Sequence, residues 1–447
     1  MPRFVTRERL VALVAPLLLV LVACVSVGVH VPDNEALSPI DEWVYADYLD
    51  KVPTQGVVTR GEETGEFARS ELACNGVRLA LDENPVLCAQ VAAGTEKDSD
   101  LPMGGVTSAD IYTPAYFAVT WVMAKTIQFL GVDDLLDAAS YAGAVWLSVG
   151  LLFLFAAMRR LGVGRTVAVA LGALVTASPG AFWSSTYVST DAPALAVGGS
   201  LLWLAVRIVQ GRSGKVAFVL VSLVGVVLKA QFLLGIAVAG LAVVGWTAAR
   251  AFAERGHDAR RGGWVVRALL ARETLTVVAS LVVAVVFQVV WAVVRSAIAT
   301  GPYPDQSVAL PVTVHGLLAE VLKFLPLTAQ DPTDVANSIA LVTAGTLVSW
   351  LSIAGVVGLV AVGRDDAEST WFARAALVAA VSAGPVLAAG SIVVSGYYFE
   401  LPYRYGLAML PAFMLCAGVL LSRQRAWLPV SLAVVSGVVY AASLAGN

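Results

Sequence analysis

Apolar runs recur along almost the whole chain, broken by short polar turns and by one long polar stretch between residues 31 and 137. Runs of about 17 to 25 residues, the length that crosses the hydrocarbon core of a bilayer as a helix, fall near 10–30, 138–158, 166–182, 190–209, 230–249, 273–298, 337–362, 374–395, 404–421 and 427–445. With a shorter run at 216–229 the pattern predicts about eleven transmembrane helices. The expected fold is therefore an all-α polytopic membrane protein, residues 1–447 forming one membrane domain.

The first run follows Arg3, Arg7 and Arg9, and is longer than the apolar core of a signal peptide with no small-residue cleavage site after it. A retained anchor is the expectation. Placing the amino terminus inside puts 19 of the 29 Lys and Arg in cytoplasmic segments, including the basic loop 250–272, and leaves the opposite side acidic. That asymmetry satisfies the positive-inside rule. The loops 31–137 and 299–336 are then extracytoplasmic, in a multi-pass protein whose Ala-, Val-, Gly- and Arg-rich composition suggests a high-GC bacterium and whose expected location is the bacterial plasma membrane.

Charge also decides one ambiguous helix. Residues 114–130 are apolar enough to cross, but a crossing would turn Asp133 and Asp134 inward and Arg159 and Arg160 outward, so a helix lying in the interface is predicted. Residues 41–51 read as a second short helix, with Trp43, Tyr45 and Tyr48 as interfacial aromatics, and 54–110 as an irregular segment. Between Lys215 and Arg250 only about 34 residues serve two crossings, which predicts a short half-span ending at Lys229.

Composition agrees with this pattern: 58% of residues are hydrophobic and 14% charged, and the mean hydropathy is +0.79. A soluble globular protein of this size is excluded. Cys24 and Cys416 lie in apolar runs, where cysteine ordinarily acts as a small buried hydrophobe. Cys74 and Cys88 share the extracytoplasmic loop, where a disulfide persists, and are expected to pair.

Soluble-enzyme motifs are missing. Gly211-Arg212-Ser213-Gly214-Lys215 resembles a phosphate loop only faintly, because Val209 and Val216 replace its first glycine and its Ser or Thr. His30, His257 and His315 are scattered and suggest no metal cluster. The candidate chemistry is ionic and sits at the ends of apolar helices. Asp41 and Glu42 are adjacent acids just past the first span, Asp191 opens another, and Lys229 and Arg404 are cations at outer helix ends. Each alone has an ordinary explanation: a helix start, a cap, a snorkelling cation. Two acids and two cations on one face are costly at membrane depth and point to function.

In order, these features resemble the GT-C superfamily, polytopic glycosyltransferases that draw a sugar from polyprenyl phosphate on the extracytoplasmic side. The resemblance rests on Asp41-Glu42, Thr113-Pro114-Ala115-Tyr116-Phe117, Arg159-Arg160-Leu161-Gly162, Ser178-Pro179, the Asp191 helix start, Leu228-Lys229-Ala230 and Pro402-Tyr403-Arg404-Tyr405-Gly406. The order is similar to that of the aminoarabinose transferases, the protein O-mannosyltransferases and the bacterial arabinofuranosyltransferase group. The chain departs from it in having Thr113-Pro114 in place of a double proline and Ala230-Gln231 after Lys229.

The resemblance implies a GT-C-like fold with interfacial helices in the 31–137 loop, and an inverting glycosyltransferase moving a sugar, arabinofuranose or mannose, to an envelope glycan, lipid or protein acceptor. Asp41 or Glu42 would be the general base, the other acid orienting the acceptor. Lys229 and Arg404 would hold the donor phosphate, while Asp191, Tyr112 and Tyr116 would order the acceptor or the loop. The partners implied are the polyprenyl-phosphate-linked donor, that acceptor and the bilayer, with no nucleic acid. The resemblance assigns no cofactor, since related enzymes include metal-dependent and metal-independent members, and a divalent cation is admissible beside the acids. A transporter or flippase of a lipid-linked sugar is the alternative; it would be expected to carry an internal repeat. A non-catalytic assembly partner with a decayed site is the third reading.

Overall fold

In a computed structural model of the chain, residues 7–78, 87–254, 263–304, 306, 308–330, 338–364, 367–425 and 427–445 are described. Arg3 and His257, with parts of the loops 250–272 and 299–336, lie outside the described residues. Among the described residues the protein is all helical, 76% helix with no strand.

Among the described residues, seven helices are long and apolar enough to cross a membrane: Leu13–Asp33, Leu135–Arg160, Ala230–Ala253, Arg272–Ala297, Ile339–Val362, Glu368–Val393 and Trp427–Ala445. They match seven of the expected runs. The other four are shorter or broken. Arg165–Thr176 and Pro179–Ser185 form a pair bent by 65°, because Pro179 has no N–H for the first helix's ladder and holds Ser178 extended, at φ −80° and ψ 149°. Ala194–Val209, Lys215–Leu228 and Leu410–Ser422 are apolar helices of 16, 14 and 13 residues. At 1.5 Å per residue none reaches across a hydrocarbon core about 30 Å thick.

Ala194–Val209 and Leu410–Ser422 sit in the middle of the bundle, whereas Lys215–Leu228 leaves Val216, Leu220 and Val224 exposed. Every residue of Ala194–Val209 except Trp203 and Arg207 is buried, as expected of a helix that is apolar all round. It packs on Gly143–Arg160 through glycines: a Cβ on Gly150 would lie 2.7 Å from the Leu195 Cβ, and one on Gly199 would meet the Gly150 carbonyl at 3.0 Å. Arg272–Ala297 and Trp427–Ala445 lie at the periphery with most of their surface uncovered. Val282, Val286, Val289, Val293, Val430 and Val434 are all exposed there, an apolar exterior that only lipid solvates favourably. Cys416 is buried in its helix, whereas Cys24 faces outward from the first one, contrary to expectation.

The loop region caps one end. Glu42–Gln55 is a full helix and packs on Pro114–Phe129 by stacking Tyr48 on Phe117, centroids 4.2 Å apart. Thr113 caps the second helix at the Ala115 N–H and also hydrogen-bonds the Val227 carbonyl, tying this layer to the bundle. The segment 54–110 is not irregular throughout, because Glu66–Asn75 is helical. Tertiary contacts hold that helix: the Gly65 N–H donates to Asp47 Oδ1 at 2.7 Å, and Arg69 pairs with Glu96 and Asp98. Cys74 and Cys88 form the expected disulfide.

A glycine contact links the central helix to the turn Tyr403–Ala408. A Cβ at Gly198 would lie 2.1 Å from the Ala408 carbonyl oxygen. Gly198→Ala is therefore expected to destabilise the fold by about 1–3 kcal/mol. Thermal unfolding in lipid nanodiscs checks this; an unchanged midpoint would mean that the turn yields freely.

Candidate functional site

The turn Val188–Asp191, just ahead of the central helix, is pinned residue by residue. The Val188 N–H donates to Glu42 Oε1 at 2.7 Å, the Ser189 N–H to the Tyr116 hydroxyl at 3.1 Å, and the Thr190 hydroxyl to Tyr45 at 3.2 Å. The Asp191 N–H closes the turn on Ser189 Oγ. The Asp191 side chain caps nothing: the N-cap of the following helix is Pro193, with no side-chain hydrogen bond. Its carboxylate is free to meet charge.

That charge comes from two places. Lys229 is extended, at φ −160° and ψ 132°, in the break after Lys215–Leu228. Its ammonium donates to Asp191 Oδ1 at 2.6 Å, the two side chains being 1% and 3% exposed. A cation is also favoured at the carboxyl end of that helix. Arg404, in the turn Tyr403–Ala408, places Nε 3.4 Å from Asp191 Oδ2 and donates from Nη2 to Asp41 Oδ2 at 2.6 Å. The rings of Tyr112 and Tyr405 lie 5.9 and 5.5 Å from the Lys229 ammonium, within cation–π range. Tyr112 also shares a hydrogen bond with Tyr45, 3.1 Å between hydroxyls.

Asp41, Asp191, Lys229 and Arg404 thus form one chain of alternating charge whose formal sum is zero. Its members differ sharply in access. The Asp41 side chain is 48% exposed and that of Arg404 13%, so the chain runs from a dry end at Lys229 to a wet end at Asp41. Asp41 sits in the left-handed region, at φ 59° and ψ 13°, an uncommon conformation for a residue with a side chain. Strained backbone of this kind concentrates at functional sites.

Glu42 points elsewhere. It is 1% exposed, and besides Val188 it accepts the Ser38 N–H at 2.7 Å. With both oxygens on backbone donors it closes the loop 38–42 onto the 188–191 turn. It lines a second cavity of about 250 Å³ together with Glu71, Asp134, Asp137 and Tyr187. A smaller hollow of about 10 Å³, the size of a single water, lies beside the charge chain and is lined by Ile40, Trp183, Ser184, Asp191, Gln330 and Arg404. Trp183 stacks on Tyr187, 5.2 Å between centroids, so this aromatic pair stands between the two cavities.

Asp41, Asp191, Lys229, Arg404 and Tyr112 therefore meet here, Glu42 and Tyr116 hold the 188–191 turn beside them, and Cys74 and Cys88 serve the loop. Tyr45, Trp183, Gln330 and Tyr405 join them without having been singled out for the site. Tyr45 carried a signal, since four residues after Asp41 it shares the same helix face. Gln330 carried none. Among the described residues, no group of three or more His, Cys, Asp and Glu could hold a metal ion.

No known protein-family model matches this chain, and none of the curated proteins matches it.

Burial pushes the Glu42 carboxyl up to about 8, against the pull of its two N–H donors. A group whose pKa is raised on folding stabilises the fold fully below its unfolded pKa, 4.5 here, and that stability is lost as pH rises through the folded value. The unfolding midpoint is expected to fall between about pH 5 and 8 and to fall less in Glu42→Gln. A midpoint that rises across that window in the wild type contradicts a proton on buried Glu42.

Proposed function

We propose that this protein is an inverting glycosyltransferase with a GT-C-like fold, in which the seven long helices and the four short or broken ones together make up the expected eleven membrane segments. It takes a sugar, arabinofuranose or mannose, from a polyprenyl-phosphate donor and passes it to an envelope glycan, lipid or protein on the extracytoplasmic face of a bacterial plasma membrane. The observation that carries the reading is the convergence of Lys229 and Arg404 with the solvent-reaching carboxylate of Asp41, at one end of an apolar bundle. Fixed cations beside lipid suit a lipid phosphate, and an accessible acid beside them suits proton removal.

In the reaction, Asp41 takes the proton from an acceptor hydroxyl while that oxygen bonds to the anomeric carbon from the face opposite the phosphate. The bond from the anomeric carbon to the phosphate oxygen breaks, and its electron pair leaves with the polyprenyl phosphate. Charge gathers on that oxygen, where Arg404 and Lys229 oppose it in surroundings that screen little. Asp191 holds the two cations in place, and Tyr112 flanks Lys229. Glu42 belongs to the framework: it fixes the loop that presents Asp41 and the turn that presents Asp191. Of the two acids, Asp41 is the base in this reading.

The test is sugar transfer by membranes given radiolabelled polyprenyl-phosphate arabinose or mannose. Asp41→Asn should lower the rate by about 10²–10⁴-fold, the range lost with a general base, without altering the unfolding midpoint by more than a few degrees. Glu42→Gln should act mainly on folding, leaving whatever protein is folded more active than Asp41→Asn. Full activity in Asp41→Asn would sink the assignment.

A further inference from the structure

Lys229 and Arg404 already have partners. A phosphate arriving at this cluster meets a formally neutral chain, so two acids compete with it for the same two cations. Which acid yields follows from burial. Parting Asp191 from Lys229 would strand charge at side chains 1% and 3% exposed, and leaving one member of a buried pair unpartnered is heavily penalised. Asp41 is 48% exposed, and water receives its carboxylate at little cost, as at an exposed ion pair.

The phosphate also finds one donor beyond the one that Asp41 uses. Arg404 Nε is buried without a hydrogen-bond acceptor, and Asp191 Oδ2 opposite it makes no hydrogen bond. Both residues line the small hollow beside Ile40 and Trp183. Next to the N–H held by Asp41, the guanidinium thus has a second one that faces Asp191 Oδ2 at 3.4 Å without a hydrogen bond, and the two together have the paired geometry that two oxygens of a phosphate match.

We propose that a phosphate ester binds here by carboxylate exchange: it displaces Asp41 from Arg404 while Asp191 stays on Lys229. Resting on the donor reading above, the exchange makes Asp41 a self-ligand that keeps the base occupied until the donor arrives. Donor binding then supplies the phosphate and frees the carboxylate in one event. The left-handed backbone at Asp41 fits this role, because it turns the carboxylate back onto Arg404 from a helix start whose Glu42 neighbour is fixed. The ligand class is a phosphate mono- or diester, and the isoprenoid tail is the part that distinguishes a lipid donor from free phosphate.

The experiment measures equilibrium binding of a C15 isoprenyl monophosphate, carrying no sugar, to the full chain in phosphatidylcholine nanodiscs, with inorganic phosphate in a parallel arm. Asp41→Asn and Asp41→Ala should each bind the isoprenyl phosphate roughly tenfold more tightly than wild type, as expected when a charge-assisted competitor is removed. Asp41→Glu should stay within about twofold of wild type because it restores the competitor, and its normal binding also reports a folded site. Asp137→Asn removes an equal charge that touches neither cation, and should likewise change affinity by no more than about twofold. Inorganic phosphate should show the same order of variants with weaker binding throughout; equal affinity for both probes would overturn the lipid ester as the ligand. Unchanged or weaker binding in Asp41→Asn and Asp41→Ala, or equal tightening in Asp137→Asn, overturns the exchange. If no phosphate binds to wild type or to any variant, the donor reading itself falls.

Discussion

Asp191 is the constraint on which the rest of the site depends. A lysine brought almost wholly out of water is expensive unless an anion meets it with good geometry, and Asp191 meets Lys229 at 2.6 Å while facing Arg404 at 3.4 Å. Removing the acid would leave two cations facing each other at a poorly solvated point. Everything that fixes Asp191 is therefore also fixing Lys229 and Arg404. The turn before it is held accordingly, with Glu42, Tyr116 and Tyr45 each occupying a different residue of 188–190.

That arrangement divides the two adjacent acids between separate tasks. Asp41 is left-handed and stands just ahead of the helix that Glu42 opens, and the two side chains leave the chain in different directions. Glu42 turns inward to two backbone N–H groups, and Asp41 turns toward Arg404 and water. The loop layer exists to hold this division. Stacking of Tyr48 on Phe117 fixes the Glu42–Gln55 helix, and Thr113 fixes its partner helix against the carbonyl of Val227, two residues before Lys229.

Much of this was legible in the sequence, and the limits are physical. Long apolar runs mark helices such as Arg272–Ala297 because lipid-facing surface needs no pairing pattern beyond hydrophobicity. Charges at the ends of apolar runs picked out Asp41, Asp191, Lys229 and Arg404, since such charges are rarely incidental. The division between Asp41 and Glu42 was hidden, because adjacency in sequence reads as adjacency in space. The helix Glu66–Asn75 was hidden as well, since Asp47, Glu96 and Asp98 hold it from outside its own residues. Gln330 reaches the site from a far segment with no local signal at all.

The shortness of three apolar helices ties these points together. Ala194–Val209 begins three residues after Asp191, Lys215–Leu228 stops directly before Lys229, and Leu410–Ser422 follows the turn that carries Arg404. Had these helices run the full thickness of a bilayer, their ends would have carried those charges into open water, where each would be solvated singly and bind little. Stopping short keeps the ends among the longer helices, where backbone groups left over from helix termini and the four side chains must satisfy one another. The polar site within an apolar bundle follows from helix length: three helices too short to cross leave room for ionic chemistry beside lipid, and the loop layer closes the space they leave.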